Sequence, residues 1–273
     1  MSQILTRDIE VERLRLRVEK LQRELQSRRT DAQRRLELAA KVHRSLLPRP
    51  VRDRRICVDL RYSPIEEVGG DYCQVRFADP DTLFITICDV TGHGMGPALL
   101  ATRVSSEVRY GILYGRDPYA IVRSLNTFIC DHFDETHLYL SFVAARLDLS
   151  TLRLTWCGAG HPSPLLIRRN RPAVEPLTSQ NTLIGVRKDL LEDPIQQTVE
   201  LDPGDRLVFY TDGVTETDVS DGRQLGINGL AEMAADAMSV DLFAMADHIL
   251  ERIEADQQGP TLDDKTLIVA EVK

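Results

Sequence analysis

The sequence predicts an α+β sandwich preceded by one long helix. Three observations point to it. Residues 4–47 contain neither glycine nor proline; the remainder breaks into short β-prone runs joined by turns bearing glycine or aspartate; and the later helical stretches fall in two blocks rather than alternating with strands. A chain of 273 residues, 42% hydrophobic, is long enough for one large domain with a packed core and an accessory segment.

The first element is rich in Leu, Glu, Arg, Gln and Lys, all good helix formers. Ile4, Val11, Leu14, Val18, Leu21 and Leu25 recur at the spacings of a left-handed coiled-coil seam. Arg28 takes the next seam position, and Ala32, Leu36, Ala39 and Ala40 continue the apolar stripe in a shifted phase, as a stutter does. A lone helix cannot bury such a stripe, so parallel pairing with a second copy is expected, with residues 1–47 as dimerisation and linker helix. Pro48 and Pro50 end the helix, because proline lacks an amide donor and excludes helical geometry from the residue before it. Residues 48–273 form the second domain.

Strands are expected at 56–62 and 74–77, flanking the Gly69-Gly70 turn, and at 82–89, a nearly continuous apolar run. A helix over 97–110 is followed by another that starts with Asp117 as N-cap and Pro118 at its first position. Asp148-Leu149-Ser150-Thr151 joins strands at 138–147 and 152–157 as a hairpin. Further strands at 164–168, 196–201 and 206–211, one helical stretch over 228–255 and a last strand at 266–272 complete the order.

Charge divides the chain. Residues 1–56 carry 16 Lys+Arg against 8 Asp+Glu, a net of +8, leaving 18 against 34, a net of −16, for residues 57–273. The acidic part would repel a nucleic-acid backbone, and the basic part alternates with Glu and lacks interleaved aromatics, so no nucleic-acid partner is expected. No basic n-region precedes an apolar core at the start, and no apolar run reaches membrane-spanning length, so the reading is a cytoplasmic protein with no membrane association. Five scattered cysteines with no C-x-x-C pair favour reduced thiols.

Four acidic stations carry the chemistry: Asp71 after Gly70, Asp89, Asp212 before Gly213, and Asp263-Asp264. Each lies where a β-prone run gives way to a glycine-bearing or polar turn, so four strand ends can gather carboxylates at one edge of a sheet. Crowded carboxylates repel unless cations offset their charge, and an all-oxygen site suits hard ions such as Mg²⁺ or Mn²⁺.

Glu67-Val68-Gly69-Gly70-Asp71-Tyr72, Asp89-Val90-Thr91-Gly92-His93-Gly94, Gly158-Ala159-Gly160-His161-Pro162, the run from Leu201 to Glu216 containing Tyr210-Thr211-Asp212-Gly213, and Asp263-Asp264-Lys265-Thr266 closely resemble the PPM-type (PP2C-like) protein phosphatases of the bacterial SpoIIE/RsbU branch. The resemblance covers roughly residues 40–273 in the branch's order. It implies a PP2C-like β-sandwich flanked by helices, two divalent cations, Mn²⁺ or Mg²⁺, in a cleft at one end, and hydrolysis of phosphoserine or phosphothreonine in a partner protein. By the same resemblance Asp89 bridges both metals and the Val90 carbonyl completes one coordination sphere. Asp212 ligates one metal, Asp263 the other, and Asp71 contributes directly or through water. Whether Asp264 takes part is left open.

The branch usually carries a second aspartate three positions after the first, where this chain has Gln74. A pseudo-phosphatase that binds a phosphoprotein without turnover is therefore the alternative function, and a coiled-coil adaptor with a structural domain a third. His93 serves either as a proton donor or as a turn former. His161 is expected to hydrogen-bond a turn rather than bind metal, and Cys73 to pack. The resemblance further suggests a STAS anti-anti-sigma protein as substrate, expected in trans because this chain contains no STAS segment; the input is expected either from an activator that binds the helix or from a regulator acting through the paired helices.

Overall fold

The computed structural model describes the backbone of residues 2–170, 173–220 and 222–273, with side chains from Glu12 onward in those ranges. Residues 1–42 and 43–273 are two compact units. Helix α1 (Ser2–Arg44) supplies the first, its last two residues counting with the second, and ends three residues before the expected boundary. Leu14, Val18, Leu21 and Leu25 of the seam are each more than half exposed on it. Ile4 and Val11 lie outside the described side chains.

In the second unit the order is β1 (Val51–Arg52), β2 (Ile56–Ser63), β3 (Tyr72–Asp79), β4 (Thr82–Val90), α2 (Met95–Leu113), α3 (Pro118–His132), β5 (Leu140–Asp148), β6 (Arg153–Ala159), β7 (Leu165–Ile167), β8 (Val174–Pro176), β9 (Gln197–Glu200), β10 (Arg206–Tyr210), α4 (Asp212–Thr215), α5 (Gly226–Asp236), α6 (Leu242–Asp256) and β11 (Lys265–Val272). One six-stranded sheet runs β1-β2-β11-β10-β7-β8, and a five-stranded sheet runs β3-β4-β5-β6-β9. Neighbouring strands in both are antiparallel.

The apolar runs are continuous because the central strands are covered on both faces. Leu83, Ile85 and Ile87 of β4 face Leu207 and Phe209 of β10 across the space between the sheets. The alternate residues Phe84, Cys88 and Val90 pack under α2 and α3, while Val208 and Tyr210 pack under α5 and α6. The result is four layers, helix–sheet–sheet–helix, as the sandwich reading predicts.

The expected helix over 228–255 is instead two helices. The buried Arg206 guanidinium donates to the carbonyl oxygens of Ala237 and Val240, at 3.2 and 3.0 Å, where the chain between the two α-helices passes through a short 3-10 turn, Ala237–Ser239. Asp241 then caps α6 by accepting from the Phe243 amide at 2.9 Å. Strands β1 and β8 and helix α4, with two, three and four residues, are too short for periodicity to register.

Strand direction places the acidic stations. Tyr72 pairs with Cys88, so the start of β3 lies beside the end of β4. Tyr210 pairs with Leu267, so the end of β10 lies beside the start of β11.

Candidate metal centre

Asp71, Asp89, Asp212 and Asp263 sit at these strand ends. Asp71, almost wholly buried, presents Oδ2 to the hydroxyls of Thr211 at 2.8 Å and Thr266 at 2.6 Å. Those threonines belong to the six-stranded sheet's side of the molecule and Asp71 leads into the five-stranded sheet, so one carboxylate joins the two. Burial, then the charge of Asp89, pushes the Asp71 carboxyl well above the usual carboxylate range.

Asp89, the penultimate residue of β4, stands opposite Ser141 of β5. Burial raises its pKa first, and the charges of Asp212, Asp263, Asp264 and Glu216 add to that, taking it to about 8. Asp212, at the start of α4, is raised by burial and then by Asp263 and Glu216. Its Oδ1 is buried with no hydrogen-bond partner. A buried anionic oxygen without a donor is costly, and a cation is the partner that removes the cost.

Asp263 Oδ1 accepts from the Asp264 amide at 2.8 Å. Asp264 is engaged differently, since its two oxygens accept the amides of Ile65 at 2.8 Å and Gly70 at 2.9 Å and so fix the turn that delivers Asp71. A Cβ at Gly69 would stand 1.9 Å from Asp264 Oδ2, and one at Gly213 2.1 Å from the Asp264 carbonyl oxygen, so both positions need glycine for close approach. Gly70 lies against the carbonyl oxygen of Val90, where a Cβ would approach to 2.6 Å.

These residues suit a hard divalent cation by donor chemistry: carboxylate oxygens, one backbone carbonyl, and an orphaned oxygen on Asp212. Among the described residues no three His, Cys, Asp or Glu side chains are gathered closely enough to hold a metal ion as they stand. The carboxylates act on one another as charges.

Gln74 belongs elsewhere. It is buried on the α2 side of β3, donating Nε2 to the Ser105 carbonyl oxygen at 2.7 Å. A carboxylate at this position would face that oxygen with no proton to offer. His161 hydrogen-bonds, but across the sandwich rather than within its own turn: Nδ1 meets Ser141 Oγ at 2.7 Å and Nε2 meets the Tyr210 carbonyl oxygen at 3.1 Å. Burial lowers its pKa to about 3, so the ring is neutral, with Nε2–H donating and Nδ1 accepting. Cys73 is buried between the sheets, and all five cysteines are free.

Sequence reasoning assigned no role to Thr211, Thr266, Ser141 or Glu66. The threonines stand beside the motif aspartates, and an alcohol next to a carboxylate about to be buried was the available signal. Nothing local marks Ser141, whose place is set by its pairing with Asp89.

A carboxyl whose folded pKa lies above its unfolded value stabilises the fold below the unfolded pKa and loses that contribution as pH rises through the folded one. For Asp89 the window runs from the ordinary value of 3.8 to about 8. In chelator, the melting temperature is therefore expected to fall between pH 5 and pH 8. Asp89→Asn should flatten that slope and raise the midpoint at pH 8, by about 2–4 °C per kcal/mol recovered. Differential scanning calorimetry of both proteins reads it; parallel slopes would contradict the electrostatic account.

A family model described as "Stage II sporulation protein E (SpoIIE)" matches residues 79–273. Phosphoserine phosphatase RsbP of Bacillus subtilis (strain 168) is 26% identical over 193 residues, 70% of this chain and 47% of that protein. Phosphoserine phosphatase RsbU of the same organism is 24% identical over 235 residues, 86% of this chain and 69% of that protein. The chain thus spans about half the length of the first and two thirds of the second. Among solved structures, the SiaA-PP2C domain of Pseudomonas aeruginosa superposes with a TM-score of 0.77 over 90% of this chain and 98% of that domain, at 20% identity, a likeness of fold. Because the match takes in most of the chain, including Asp89, Asp212 and Asp263, the chain belongs to the SpoIIE family.

Proposed function

We propose that the chain is a metal-dependent phosphatase that removes phosphate from serine or threonine of a protein partner. The observation that carries this reading is the gathering of Asp71, Asp89, Asp212 and Asp263 at one end of the sandwich, with the Asp89 pKa near 8 and Asp212 Oδ1 left without a donor. Such a site is short of positive charge. Asp89, Asp212, Asp263 and the Val90 carbonyl would hold two divalent cations, with Asp71 supporting them from the buried side. Cations bound there lower the pKa of a water and offset charge on the phosphoryl oxygens.

Support comes from other proteins of this fold. The catalytic domain of the serine/threonine phosphatase PstP is described in complex with two manganese ions, and RsbX in complex with magnesium; their TM-scores to this chain are 0.55 and 0.63. The protein's own groups set the geometry. Thr211 and Thr266 orient the Asp71 carboxylate, Asp264 fixes the turn before it, and His161 holds Tyr210 and Ser141 together behind Asp89. The binding-only alternative was motivated by Gln74, whose amide is used by Ser105.

The expected substrate is a phosphorylated regulatory protein, a STAS-domain anti-anti-sigma factor by resemblance, supplied in trans. Residues 1–47 are proposed to pair two copies in parallel, with an activator acting on the helix. No helix among the described residues is long and apolar enough to cross a membrane.

Asp212→Asn removes a charged donor from the site. Turnover of a phosphoserine peptide in saturating Mn²⁺ should drop at least 100-fold while the far-ultraviolet circular dichroism is unchanged. Activity within threefold of wild type would sink the metal-site assignment.

Leu21→Glu places a charge in the seam, where burial of an unpaired charge costs about 3–5 kcal/mol. Light scattering should show a dimer for the wild type and a monomer for the variant. A monomeric wild type would refute the pairing.

A further inference from the structure

Two loops meet at the carboxylate-bearing end of the sandwich through a contact the carboxylate cluster does not require. Glu66 lies on the turn between β2 and β3, one residue after Ile65 and four before Gly70, the two residues whose amides Asp264 holds. Its position is therefore set by a buried anchor although the side chain is itself 43% exposed. His93 lies on the loop that leaves β4 after Val90. The two side chains meet with His93 Nδ1 2.7 Å from Glu66 Oε1.

The backbone around His93 is shaped for this meeting. Gly92 and Gly94 both have positive φ, 88° and 85°, which side-chain-bearing residues rarely adopt. A Cβ at Gly94 would stand 3.0 Å from Glu66 Oε2, so the carboxylate leans on the loop with its second oxygen while the first takes the imidazole. The loop also abuts the turn at Gly70, where a Cβ would come within 3.2 Å of the Gly92 carbonyl oxygen.

An exposed contact of this kind adds at most about 1 kcal/mol to stability, so folding alone gives little reason for two glycine turns and a buried anchor to build it. Its chemical consequence is larger. A carboxylate accepts the Nδ1 proton, which fixes the tautomer and leaves Nε2 as the nitrogen available to a substrate.

We propose that Glu66 is a positioning residue that holds the His93 imidazole so that Nε2 delivers a proton to the departing serine or threonine oxygen. The inference rests on the phosphatase reading above. As the bond from the water oxygen to phosphorus forms, the bond from phosphorus to the side-chain oxygen breaks. Its electron pair stays on that oxygen, which takes the Nε2 proton of the doubly protonated His93 ring and leaves as the alcohol, while the ring keeps its Nδ1–H on Glu66. The attacking water gives up a proton to solvent, and the neutral imidazole is reprotonated from solvent before the next turnover.

The leaving group separates this role from a structural one. An alkyl alkoxide needs a proton as it departs, whereas p-nitrophenolate is stable without one. Full-length wild type, Glu66→Ala, Glu66→Gln, His93→Ala and the double variant are to be assayed with a phosphoserine peptide and with p-nitrophenyl phosphate, both in saturating Mn²⁺. On the peptide, His93→Ala should lower kcat about 100-fold and Glu66→Ala about tenfold, with KM within twofold. Glu66→Gln should recover part of the loss, because its amide oxygen still accepts from Nδ1–H. On p-nitrophenyl phosphate each loss should be below threefold, and the double variant should be no worse than His93→Ala on either substrate. Nitrogen-15 shifts of the His93 ring, read at a pH where the ring is neutral, should report an Nδ1–H tautomer in the wild type and a mixture in Glu66→Ala, a reading that needs no turnover. Equal losses on both substrates, or an unchanged tautomer in Glu66→Ala, would overturn the proposal and leave the phosphatase reading intact. A wild type that hydrolyses neither substrate would overturn both.

Discussion

The Asp71 carboxylate is the tie on which the carboxylate-bearing end of the sandwich depends. It leads into β3 of one sheet and takes hydroxyl donors from Thr211 and Thr266, at the end of β10 and the start of β11 in the other. A buried carboxylate is expensive unless it is hydrogen-bonded, and two alcohols satisfy it only in part, which is why its pKa stays high. The same group therefore joins the sheets and keeps the site in need of positive charge. His161 makes a second tie between them, to Ser141 and the Tyr210 carbonyl. Being neutral down to about pH 3, it holds that pattern unchanged across the range in which the carboxylates titrate.

Around this tie the turns are built for close approach. Asp264 holds two amides of the Ile65–Gly70 turn, and Gly69 and Gly213 pack against it where a Cβ would stand 1.9 and 2.1 Å from its oxygens. Of the two adjacent aspartates, Asp264 is therefore held by backbone donors, while Asp263, with Asp89 and Asp212, supplies charge. Fold and site are not separable here: the sandwich brings the strand ends together, and hydrogen bonds at those ends lock the sheets.

Much of this was legible in the sequence. The nearly continuous apolar run at 82–89 announced β4, strands were expected at 206–211 and 266–272, and each acidic station stood at a predicted strand end. What escaped was set at a distance. The expected 228–255 helix is interrupted where Arg206, from a strand some thirty residues earlier, meets the carbonyls of Ala237 and Val240. Gln74 read as a departure from the branch's second aspartate, but strand alternation turns it toward α2. The pairing of Glu66 with His93 joins two loops that no periodicity connects.

The central claim is that these carboxylates exist to hold divalent cations. Anomalous diffraction at the manganese edge, from crystals grown with Mn²⁺, tests it directly. Strong peaks among Asp89, Asp212, Asp263 and the Val90 carbonyl are predicted. Catalytically active crystals with manganese absent from that space, or bound only at other residues, would contradict it.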